Sequence, residues 1–486
     1  MTGTAPDVDL DLAPLLENCF WFNSVESSYE ATGIRGHVPD WLRGSWYVNG
    51  PACFERAGFR YGHWLDGDGM VCALQFTDQG IRFTNRFVRT RKFDEEQSTG
   101  QFLYRAFGTA FPGDRLRRNV MLEPPANVSV YPYAGRLLAF GEQSLPYQLD
   151  PTTLETIGEY DFNGALNEVS PFAAHAKCDA GLLNFGVSFS PTRPMLNVYE
   201  FDTAGSILRR RRYPLAFQHS LHDFGFTPDH VLFFLSPLLM NFQGFWSDGS
   251  SVIDSLDWRP ELGSQVFIAP RIGCGDEPFT VDAGGGHCLH FINCYEDSDR
   301  LSMDVLLLDS PVYPQYQPLP DLFNNTPRGR PVRYVIDLKT RALLETFALD
   351  YDLAQDFPAV DVDRAGRAYD DFWMLGMSER GRVGRKFFNQ LAHGNWRDGE
   401  VSDIFQTPPG EYLCSEPCFI ANPGAPDEAV VICEHLKPAE HATAILVFDA
   451  FQIRKGPIAS IPLRFPIHPG FHTTFVPTGA FLRHET

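Results

Sequence analysis

The sequence predicts an all-β protein, and a β-propeller is the architecture that its pattern favours. Short runs of β-branched and aromatic residues are bounded by Gly, Pro, Asn and Asp, for example VLFFL at 231–235 and AVVICEH at 429–435, which is typical of strands. Long helical stripes are scarce. A strand–turn–strand unit also recurs, and repeated hairpins whose strands cannot close their own edges are typical of a propeller.

The recurring unit indicates where neighbouring strands of a blade are joined. Its four copies span 147–162, 199–215, 334–349 and 446–463. In each copy a hydrophobic strand ends in an aspartate, namely Asp150, Asp202, Asp337 and Asp449. We expect each side chain to cap a tight turn. The spacing of the copies is uneven, which predicts insertions that lie on one face and build the site.

The whole chain is expected to form one domain. Its 486 residues contain no Ser/Gly tract and no low-complexity run that would mark a linker, and long all-β chains often form a single unit. Hydrophobic residues make up 44% and charged residues 21%, as in soluble globular proteins. We therefore expect a single propeller domain over 1–486, with 1–34 as an N-terminal extension.

Charge and cysteine content exclude several classes of function. The net charge of -21 argues against nucleic acid and against electrostatic docking on anionic lipid, since both need basic residues. The basic run Arg209–Arg212 is interpreted as a solvated strand face or turn. The ten cysteines lack CxxC pairing, and the N-terminus lacks the features of a secretory signal. We expect a cytoplasmic protein with free thiols, without a membrane-spanning helix.

Four of the fourteen histidines are candidate metal ligands: His175, His222, His290 and His472. They are scattered along the chain, but a propeller would bring them together, because each inner strand points at one axis. Four imidazoles suit a divalent first-row metal, and each would need an acceptor for its second nitrogen. The alternative is that they are ordinary buried or exposed histidines. No HExxH, GxSxG, Walker or GxGxxG motif supports a competing chemistry.

Nine short segments, taken in order, resemble the carotenoid cleavage oxygenases. They include LDGDGMV, LHFINCYED and SEPCFIANP, and they span 42–51, 65–71, 85–90, 135–158, 173–179, 221–234, 289–297, 415–423 and 470–475. No single segment is specific, whereas nine in order are. The resemblance implies a seven-bladed propeller with a dome of loops and helices over its metal-bearing face.

The same resemblance implies a non-haem Fe(II) centre. Its ligands would be His175, His222, His290 and His472, with no catalytic residue beyond the metal centre. His287 lies outside the motif, and residues three apart in a strand face opposite sides. Glu142, Asp356 and Glu416 would orient the ligands. Asp356 stands where the family has a glutamate, so either it still accepts the imidazole hydrogen bond, or the backbone moves closer, or a water bridges, or the histidine is held less tightly.

Five positions are implied to bind substrate: Leu65, Phe107, Ala126, Gly141 and Phe291. The phenol-cleaving branch of the family places a Tyr and a Lys where this chain has Phe107 and Gly141. Polar recognition needs a partner, so an apolar polyene is favoured. Ala126 is taken to stand beside the open metal position, and Phe291 replaces the second histidine of an adjacent pair.

The sequence therefore predicts an Fe(II)-dependent dioxygenase that cleaves a conjugated C=C bond of an apocarotenoid, using O2 and giving two carbonyl products. Cleavage of a stilbenoid or phenylpropanoid alkene, and isomerisation without oxygen, are alternatives within the family. A metal-free propeller that binds a lipid or a partner is the alternative of another class. The apolar stretch 235–246 is expected to line the tunnel mouth and contact a membrane, unless it is ordinary core.

Overall fold

A computed structural model describes residues 16–179, 181–316, 319, 322–351, 354–378 and 386–481. Seven antiparallel sheets of four or five strands follow one another along the chain as the blades of a propeller. This confirms the predicted all-β class and the seven-bladed architecture. Most of the dome consists of the connections between blades and between their strands.

The blades are numbered here in the order of their sheets. Blade 1 contains Ser27–Glu30, Gly44–Ala52, Asp68–Thr77, Gly80–Phe87 and Thr473–Pro477. Blade 2 contains Ser129–Tyr133, Arg136–Phe140, Tyr147–Leu149 and Thr156–Glu159. Blade 3 contains Lys177–Cys178, Leu182–Val187, Met195–Phe201 and Ile207–Pro214. Blade 4 contains Gly225–Phe226, His230–Leu235, Ser264–Pro270 and Phe279–Gly284.

The remaining blades follow the same plan. Blade 5 contains His287–Asp297, Arg300–Leu308, Gly329–Asp337 and Ala342–Ala348. Blade 6 contains Ala354–Ala359, Asp371–Met377, Gln390–Asn395 and Glu400–Gln406. Blade 7 contains Arg35–Gly36, Tyr412–Asn422, Ala425–Lys437, Ala442–Asp449 and Ala459–Pro462. Two small hairpins lie outside the blades, Glu55–Arg56 with Phe59–Arg60 and Leu238–Met240 with Leu256–Trp258.

The two ends of the chain close the ring. The C-terminal strand Thr473–Pro477 pairs with Gly44–Ala52 in blade 1, and the N-proximal strand Arg35–Gly36 pairs with Ala459–Pro462 in blade 7. Part of the predicted N-terminal extension is also built into the fold, because Ser27–Glu30 pairs with Gly80–Phe87. Residues 1–15 of that extension lie outside the described residues. Closure of this kind ties both ends of the chain into the ring, and the propeller leaves only short, protected strand edges.

The aspartates of the recurring unit cap turns, as predicted. The Asp150 carboxylate accepts hydrogen bonds from the N–H groups of Thr152 and Thr153 at 2.9 and 2.7 Å. The other three accept in the same way from Ala204 and Ser206, from Thr340 and from Phe451. These turns join the third and fourth strands of blades 2, 3 and 5, and the fourth and fifth strands of blade 7. The basic run also lies as predicted, on the outer strand Ile207–Pro214, where three of its four arginines are exposed.

Short helices and loops form the dome. The α-helix Arg91–Thr99 begins at Thr90, whose hydroxyl accepts from the Phe93 N–H, and ends at Gly100 with φ of 69°, a left-handed conformation that glycine adopts without strain. Throughout the described residues, inside and outside the dome, the other helical segments are the 3-10 turns Glu17–Cys19, Trp64–Asp66, Ile253–Ser255, Pro260–Leu262, Tyr313–Tyr316, Val362–Arg364, Pro438–Glu440 and Ile453–Lys455, and the π-helical turn Gln243–Ser247.

An aromatic core fixes the dome to blades 5, 6 and 7. Trp64, Tyr313 and Phe323 from the dome pack in one buried cluster with propeller residues such as Leu375 and Leu413. Burying one such side chain contributes about 1.5–3 kcal/mol, so the cluster holds the dome firmly over the axis. Within the described residues all ten cysteines are free, as predicted, and no helix there is long and apolar enough to cross a membrane.

Candidate metal centre

The inner strands bring widely separated residues to one end of the propeller axis. His472, His175 and His222 stand shortly before the inner strands of blades 1, 3 and 4, and His290 lies in the inner strand of blade 5. Asp356 and Glu416 occupy the corresponding places in blades 6 and 7. The same position in successive blades therefore supplies each of these side chains, although the outermost two are almost 300 residues apart.

The four histidines form one cluster. One ligand nitrogen from each lies within 4.8 Å of the others, and the Nε2 atoms of His175 and His222 are 3.0 Å apart. His175, His290 and His472 are buried, and the buried Nε2 of His290 has no hydrogen-bond partner among the residues that the structure describes. A buried polar atom without a partner costs about 1–3 kcal/mol. A divalent first-row metal among the four nitrogens would remove that cost, so the residues fit such an ion.

Three carboxylates contact the second nitrogens of three of these imidazoles. Glu142 Oε2 lies 2.7 Å from His222 Nδ1, and Asp356 Oδ1 is hydrogen-bonded directly to His290 Nδ1. Glu416 Oε2 lies 3.5 Å from His472 Nδ1. Such carboxylates fix the ring orientation of a metal-binding histidine.

Asp356 reaches its histidine without a bridging group. Its Oδ1 also accepts the Phe357 N–H at 2.8 Å, and its Oδ2 accepts the Tyr316 hydroxyl at 3.2 Å. Of the expectations for this shortened side chain, the geometry therefore matches direct acceptance of the imidazole hydrogen bond. The Tyr316 contact is a dome contribution that sequence reasoning did not identify.

The fourth histidine has a different neighbour. His175 Nδ1 lies 3.8 Å from Asp223 Oδ1. Asp223 is itself held by Lys177 Nζ at 2.7 Å and by the Phe291 N–H at 2.9 Å. Sequence reasoning missed Asp223, although it directly follows His222. Adjacent residues of an extended chain point to opposite sides, so His222 can face the cluster as a ligand while Asp223 supports the imidazole of His175.

Backbone irregularities aim several of these side chains at the axis. The ladders of the inner strands of blades 5, 6 and 7 shift register around His290, Asp356 and Glu416, and bulges of this kind redirect side chains near active sites. Left-handed backbone flanks the three carboxylates, with φ of 54° at Gln143, 54° at Phe357 and 62° at Ser415. Prolines follow at 358 and 417, and each removes an N–H from the ladder, which favours the irregularity.

Burial sets the charge state of the histidines. It lowers the pKa of His175 well below its usual value, and the neighbouring His472 and His222 lower it further. Burial also lowers the pKa of His472, although Glu416 opposes this. Neutral imidazoles at neutral pH are the form that binds a metal. For His290, burial lowers the pKa but the Asp356 carboxylate outweighs it, so the net shift is upward.

Two cavities meet at the cluster. The dome-side cavity has a volume of about 100 Å³ and reaches His222, His290 and His472, with Leu65, Phe107 and Phe471 in its wall. The axial cavity, on the other side, has a volume of about 580 Å³ and reaches His175 and His290. Lys177, Asp223 and Glu416 lie in the axial wall. The histidines therefore separate a narrow apolar space from a wider one whose largely apolar wall also carries charged side chains.

The structure separates the residues that the resemblance placed around the substrate. Leu65 and Phe107 line the dome-side cavity, whereas Phe291 lines the axial cavity. Ala126 is buried in the core between blades 1 and 2, and Gly141 packs behind it, so neither lies on the dome-side wall. Val128, two residues after Ala126, occupies that wall instead. Ala126 has a left-handed backbone, with φ of 50°. The simple alternation of side chains along a strand therefore does not show that Val128, rather than Ala126, faces the cavity.

Two further predictions concern neighbouring segments. His287 is buried outside the four-histidine cluster, and neither of its ring nitrogens has a hydrogen-bond partner in the described structure. The stretch 235–246 divides into a buried first part and a surface second part. In the second part Trp246 is 37% exposed, and its ring packs with those of Phe242 and Phe189, at centroid distances of 4.7 and 5.5 Å.

The chain is similar in sequence and in fold to proteins of one family. The profile of the family described as RPE65, retinal pigment epithelial membrane protein, matches residues 22–477. Apocarotenoid-15,15'-oxygenase of Synechocystis sp. is 28% identical over 92% of this chain and 94% of its own. Lignostilbene-alpha,beta-dioxygenase isozyme III of Sphingomonas paucimobilis is 25% identical over 90% and 92%. Isoeugenol monooxygenase of Pseudomonas nitroreducens is 26% identical over 91% and 94%.

Solved structures with a similar fold come from the same group of proteins. Cobalt-substituted Synechocystis ACO superimposes with a TM-score of 0.87 at 25% identity, covering 96% of this chain and 99% of that one. An ACO/RPE65 chimera gives the same TM-score, identity and coverage.

Proposed function

Because the chain belongs to the family of retinal pigment epithelial membrane protein and the carotenoid oxygenases, we propose that it is an Fe(II)-dependent dioxygenase that cleaves a conjugated C=C bond. The favoured substrate is an apocarotenoid or a related polyene, cleaved with O2 to two carbonyl products. The observation that carries the proposal is the four-histidine cluster, braced by Glu142, Asp356 and Glu416 at the inner end of an apolar cavity.

His175, His222, His290 and His472 would hold the iron, and Fe(II) bound by four neutral nitrogens would supply the activation of O2. The protein residues then have a positioning role. The three carboxylates hold the imidazoles in orientation. The dome covers the cluster and limits the access of water to the cavity.

The other ionisable groups of the dome-side cavity are already engaged, which suits a reaction without a protein acid or base. Lys92 is paired with Asp68 and Glu96 at 2.7 and 2.9 Å. Asp66 accepts from Gly108 and Thr109, Glu123 is paired with Arg91, and Arg105 with Asp114. A general acid or base must reach the reacting proton, and these groups are committed to the fold.

The cavity wall favours an apolar polyene over a phenol. Leu65, Phe107, Val128 and Phe471 present apolar surface. A Cβ built on Gly141 would lie 3.0 Å from the backbone nitrogen of Ala126, so a larger residue does not fit at that position without a backbone shift. A phenolic hydroxyl buried without a partner would bind weakly.

A phenylpropanoid alkene is a second candidate, and the size of the cavity favours it. A volume of about 100 Å³ is below the roughly 300–1,000 Å³ of drug-sized ligand pockets. A short alkene would need less side-chain movement than a long polyene. The two candidates differ in one testable respect, because the polyene requires the dome-side wall to open.

One assay tests both candidates. Iron-loaded protein and its His290→Ala variant would each be incubated in air with apocarotenals, carotenes, hydroxystilbenes and isoeugenol, followed by absorbance and product mass. We expect paired carbonyl products from an apocarotenal, and only with the unmutated protein. Cleavage of a phenylpropanoid or stilbene alone would favour the second candidate. Conversion without oxygen uptake would indicate isomerisation, and the absence of iron binding would contradict the proposal.

We also propose that the chain draws its substrate from a membrane surface through the aromatic cluster of Phe189, Phe242 and Trp246. Trp246 donates its indole N–H to the Val120 carbonyl at 2.8 Å, and Val120 is 40% exposed beside it. An exposed aromatic and aliphatic patch is suited to the lipid interface. The double variant Phe242→Ser, Trp246→Ser should lose flotation with neutral liposomes. A Phe347→Ser control, on the exposed outer strand of blade 5, should float normally, and unchanged flotation of the double variant would contradict this proposal.

A further inference from the structure

We propose that blade 4 carries a second metal site, for zinc or a similar thiophilic divalent ion, formed by His230, Cys274 and Asp276. The three ligand atoms lie within 4.8 Å of one another. His230 is the first residue of the second strand of blade 4, and the other two lie in the connection between its third and fourth strands.

The distances match a tetrahedral coordination shell. Cys274 Sγ lies 3.7 Å from His230 Nε2, and Asp276 Oδ2 lies 3.5 Å from the same nitrogen. Zinc bonds of about 2.3 Å to sulfur and about 2.0–2.2 Å to nitrogen and oxygen give tetrahedral edges of roughly 3.6 and 3.4 Å. A zinc ion would therefore fit with little movement, and solvent would complete its coordination.

His230 is also oriented as a ligand. Its Nδ1 contacts Glu296 Oε1 at 2.9 Å, and Glu296 in turn binds the Thr227 hydroxyl. A carboxylate on Nδ1 leaves the Nε2 lone pair facing outward, which is the arrangement of carboxylate–histidine–zinc triads. That lone pair faces the Asp276 carboxylate, and two acceptors at this distance repel unless a cation or a proton lies between them.

The charge around the site favours a cation. Asp229 and Glu296 act on the His230 ring together with Asp276. The nearby Arg271 is directed elsewhere, since its guanidinium contacts Asp179 at 3.1 Å and the Thr227 carbonyl at 2.6 Å. His230 is buried, whereas the Asp276 side chain is 57% exposed, so an ion can enter from solvent.

This site is separate from the four-histidine centre. Glu296 stands six residues after His290 on the inner strand of blade 5, which places it roughly 20 Å away along an extended strand. The blade 4 site contains a sulfur ligand, whereas the four-histidine cluster offers only nitrogen ligands. A metal here would tie the loop 271–278 to the second strand of blade 4.

Cobalt(II) distinguishes the two sites, because only a thiolate ligand gives a sulfur-to-cobalt charge-transfer band in the near ultraviolet. We expect this band when Co2+ is added to the full chain, and we expect Zn2+ to abolish it. Cys274→Ser should eliminate the band. Asp276→Asn should keep the band but require about tenfold more cobalt, the loss of one ligand being worth roughly 1.4 kcal/mol. The control Cys178→Ser, which changes an exposed thiol outside the cluster, should behave like the unmutated protein.

Three outcomes would overturn the inference: no band at saturating cobalt, a band that survives Cys274→Ser, or cobalt binding that is unaffected by Asp276→Asn. The first would identify the cluster as a protonated histidine paired with two carboxylates. Circular dichroism of the variants would establish that they fold. The result is independent of alkene cleavage, since neither variant alters the four-histidine centre.

Discussion

The two cavities that meet at the four histidines differ in how the chain builds them. The walls of the axial cavity come mainly from the inner strands of the blades, such as Lys177–Cys178 and His287–Asp297. The dome-side walls come largely from insertions, including the 3-10 turns Trp64–Asp66 and Tyr313–Tyr316 and the loop around Phe107. The repeating part of the fold therefore fixes the metal centre, and the non-repeating part shapes the space for a substrate.

Chemistry follows the same division. The axial wall carries the Lys177–Asp223 ion pair among apolar side chains such as Phe224 and Phe291. The dome-side wall presents aromatic and aliphatic side chains and only engaged charges. An alkene in the axial cavity would displace water from its charged side chains, which is costly, whereas on the dome side it would contact mainly apolar wall. The comparison thus predicts that substitutions on the two sides have unequal effects on cleavage.

The largest effect is expected at the metal centre that both cavities share. His290→Ala should remove iron and lower the cleavage rate more than about 1,000-fold, because the metal supplies the chemistry. The matched control is His287→Ala, the same truncation in the same strand but outside the cluster. It should retain its iron. Metal analysis of both purified variants checks this, and equal iron loss in the two would count against the assigned ligand set.

A smaller effect is expected from the carboxylates. Asp356→Ala should weaken iron binding about 10–100-fold, the usual range when a carboxylate behind a metal-bound histidine is lost. Glu416→Ala should weaken it less, because its oxygen lies 3.5 Å from His472 Nδ1 rather than in direct hydrogen bonding. Competition with a chelator measures both affinities. A greater loss of iron affinity for Glu416→Ala would show that the carboxylate–imidazole distance does not determine how much each carboxylate contributes to iron binding.

The smallest effect on cleavage is expected at Asp66, which acts on stability instead. Burial raises the pKa of Asp66 from 3.8 to about 7, although hydrogen bonds from Gly108 and Thr109 oppose this. A raised pKa in the folded state means that its contribution to stability is full below pH 3.8 and is lost as the pH rises through 7. That loss amounts to roughly 4 kcal/mol.

Asp66→Asn should therefore flatten the fall in the free energy of unfolding between pH 4 and pH 7, measured by denaturant titration. The control Asp150→Asn removes a partly exposed turn carboxylate whose pKa is lowered, so its effect on stability should change little between pH 4 and pH 7. A slope that is unchanged in Asp66→Asn would assign the pH dependence to other groups.

The sequence predicts the repeating part of this molecule much better than the rest. The turn aspartates and the four histidines recur at fixed places in the blades, so their positions follow once the propeller is recognised. The repeat does not predict which of Ala126 and Val128 faces the dome-side cavity. A left-handed residue at 126 and a bulge are decided by tertiary packing, and no alternation of residue types reveals them.

The dome illustrates the same limit. Tyr316 contacts Asp356 because the connection between the second and third strands of blade 5 carries a 3-10 turn that folds over the axis. No repeating pattern in the sequence predicts a contact made by such an insertion. The resemblance places Phe291 beside the substrate because it replaces the second histidine of an adjacent pair. It lies on the axial side because successive residues of a strand face opposite ways.

The proposal that the alkene binds in the dome-side cavity is tested most directly by comparing Ala106→Phe with Ala359→Phe. Both add the same ring, the first to the wall of the dome-side cavity and the second to the wall of the axial cavity. With iron content and folding checked in each, kcat/KM on the best alkene substrate is the quantity to measure. We expect a loss of at least about tenfold for Ala106→Phe, roughly 1.4 kcal/mol of transition-state stabilisation, because the added ring takes up space in the narrow dome-side cavity, and little change for Ala359→Phe. A loss confined to Ala359→Phe would contradict it and place the substrate in the axial cavity.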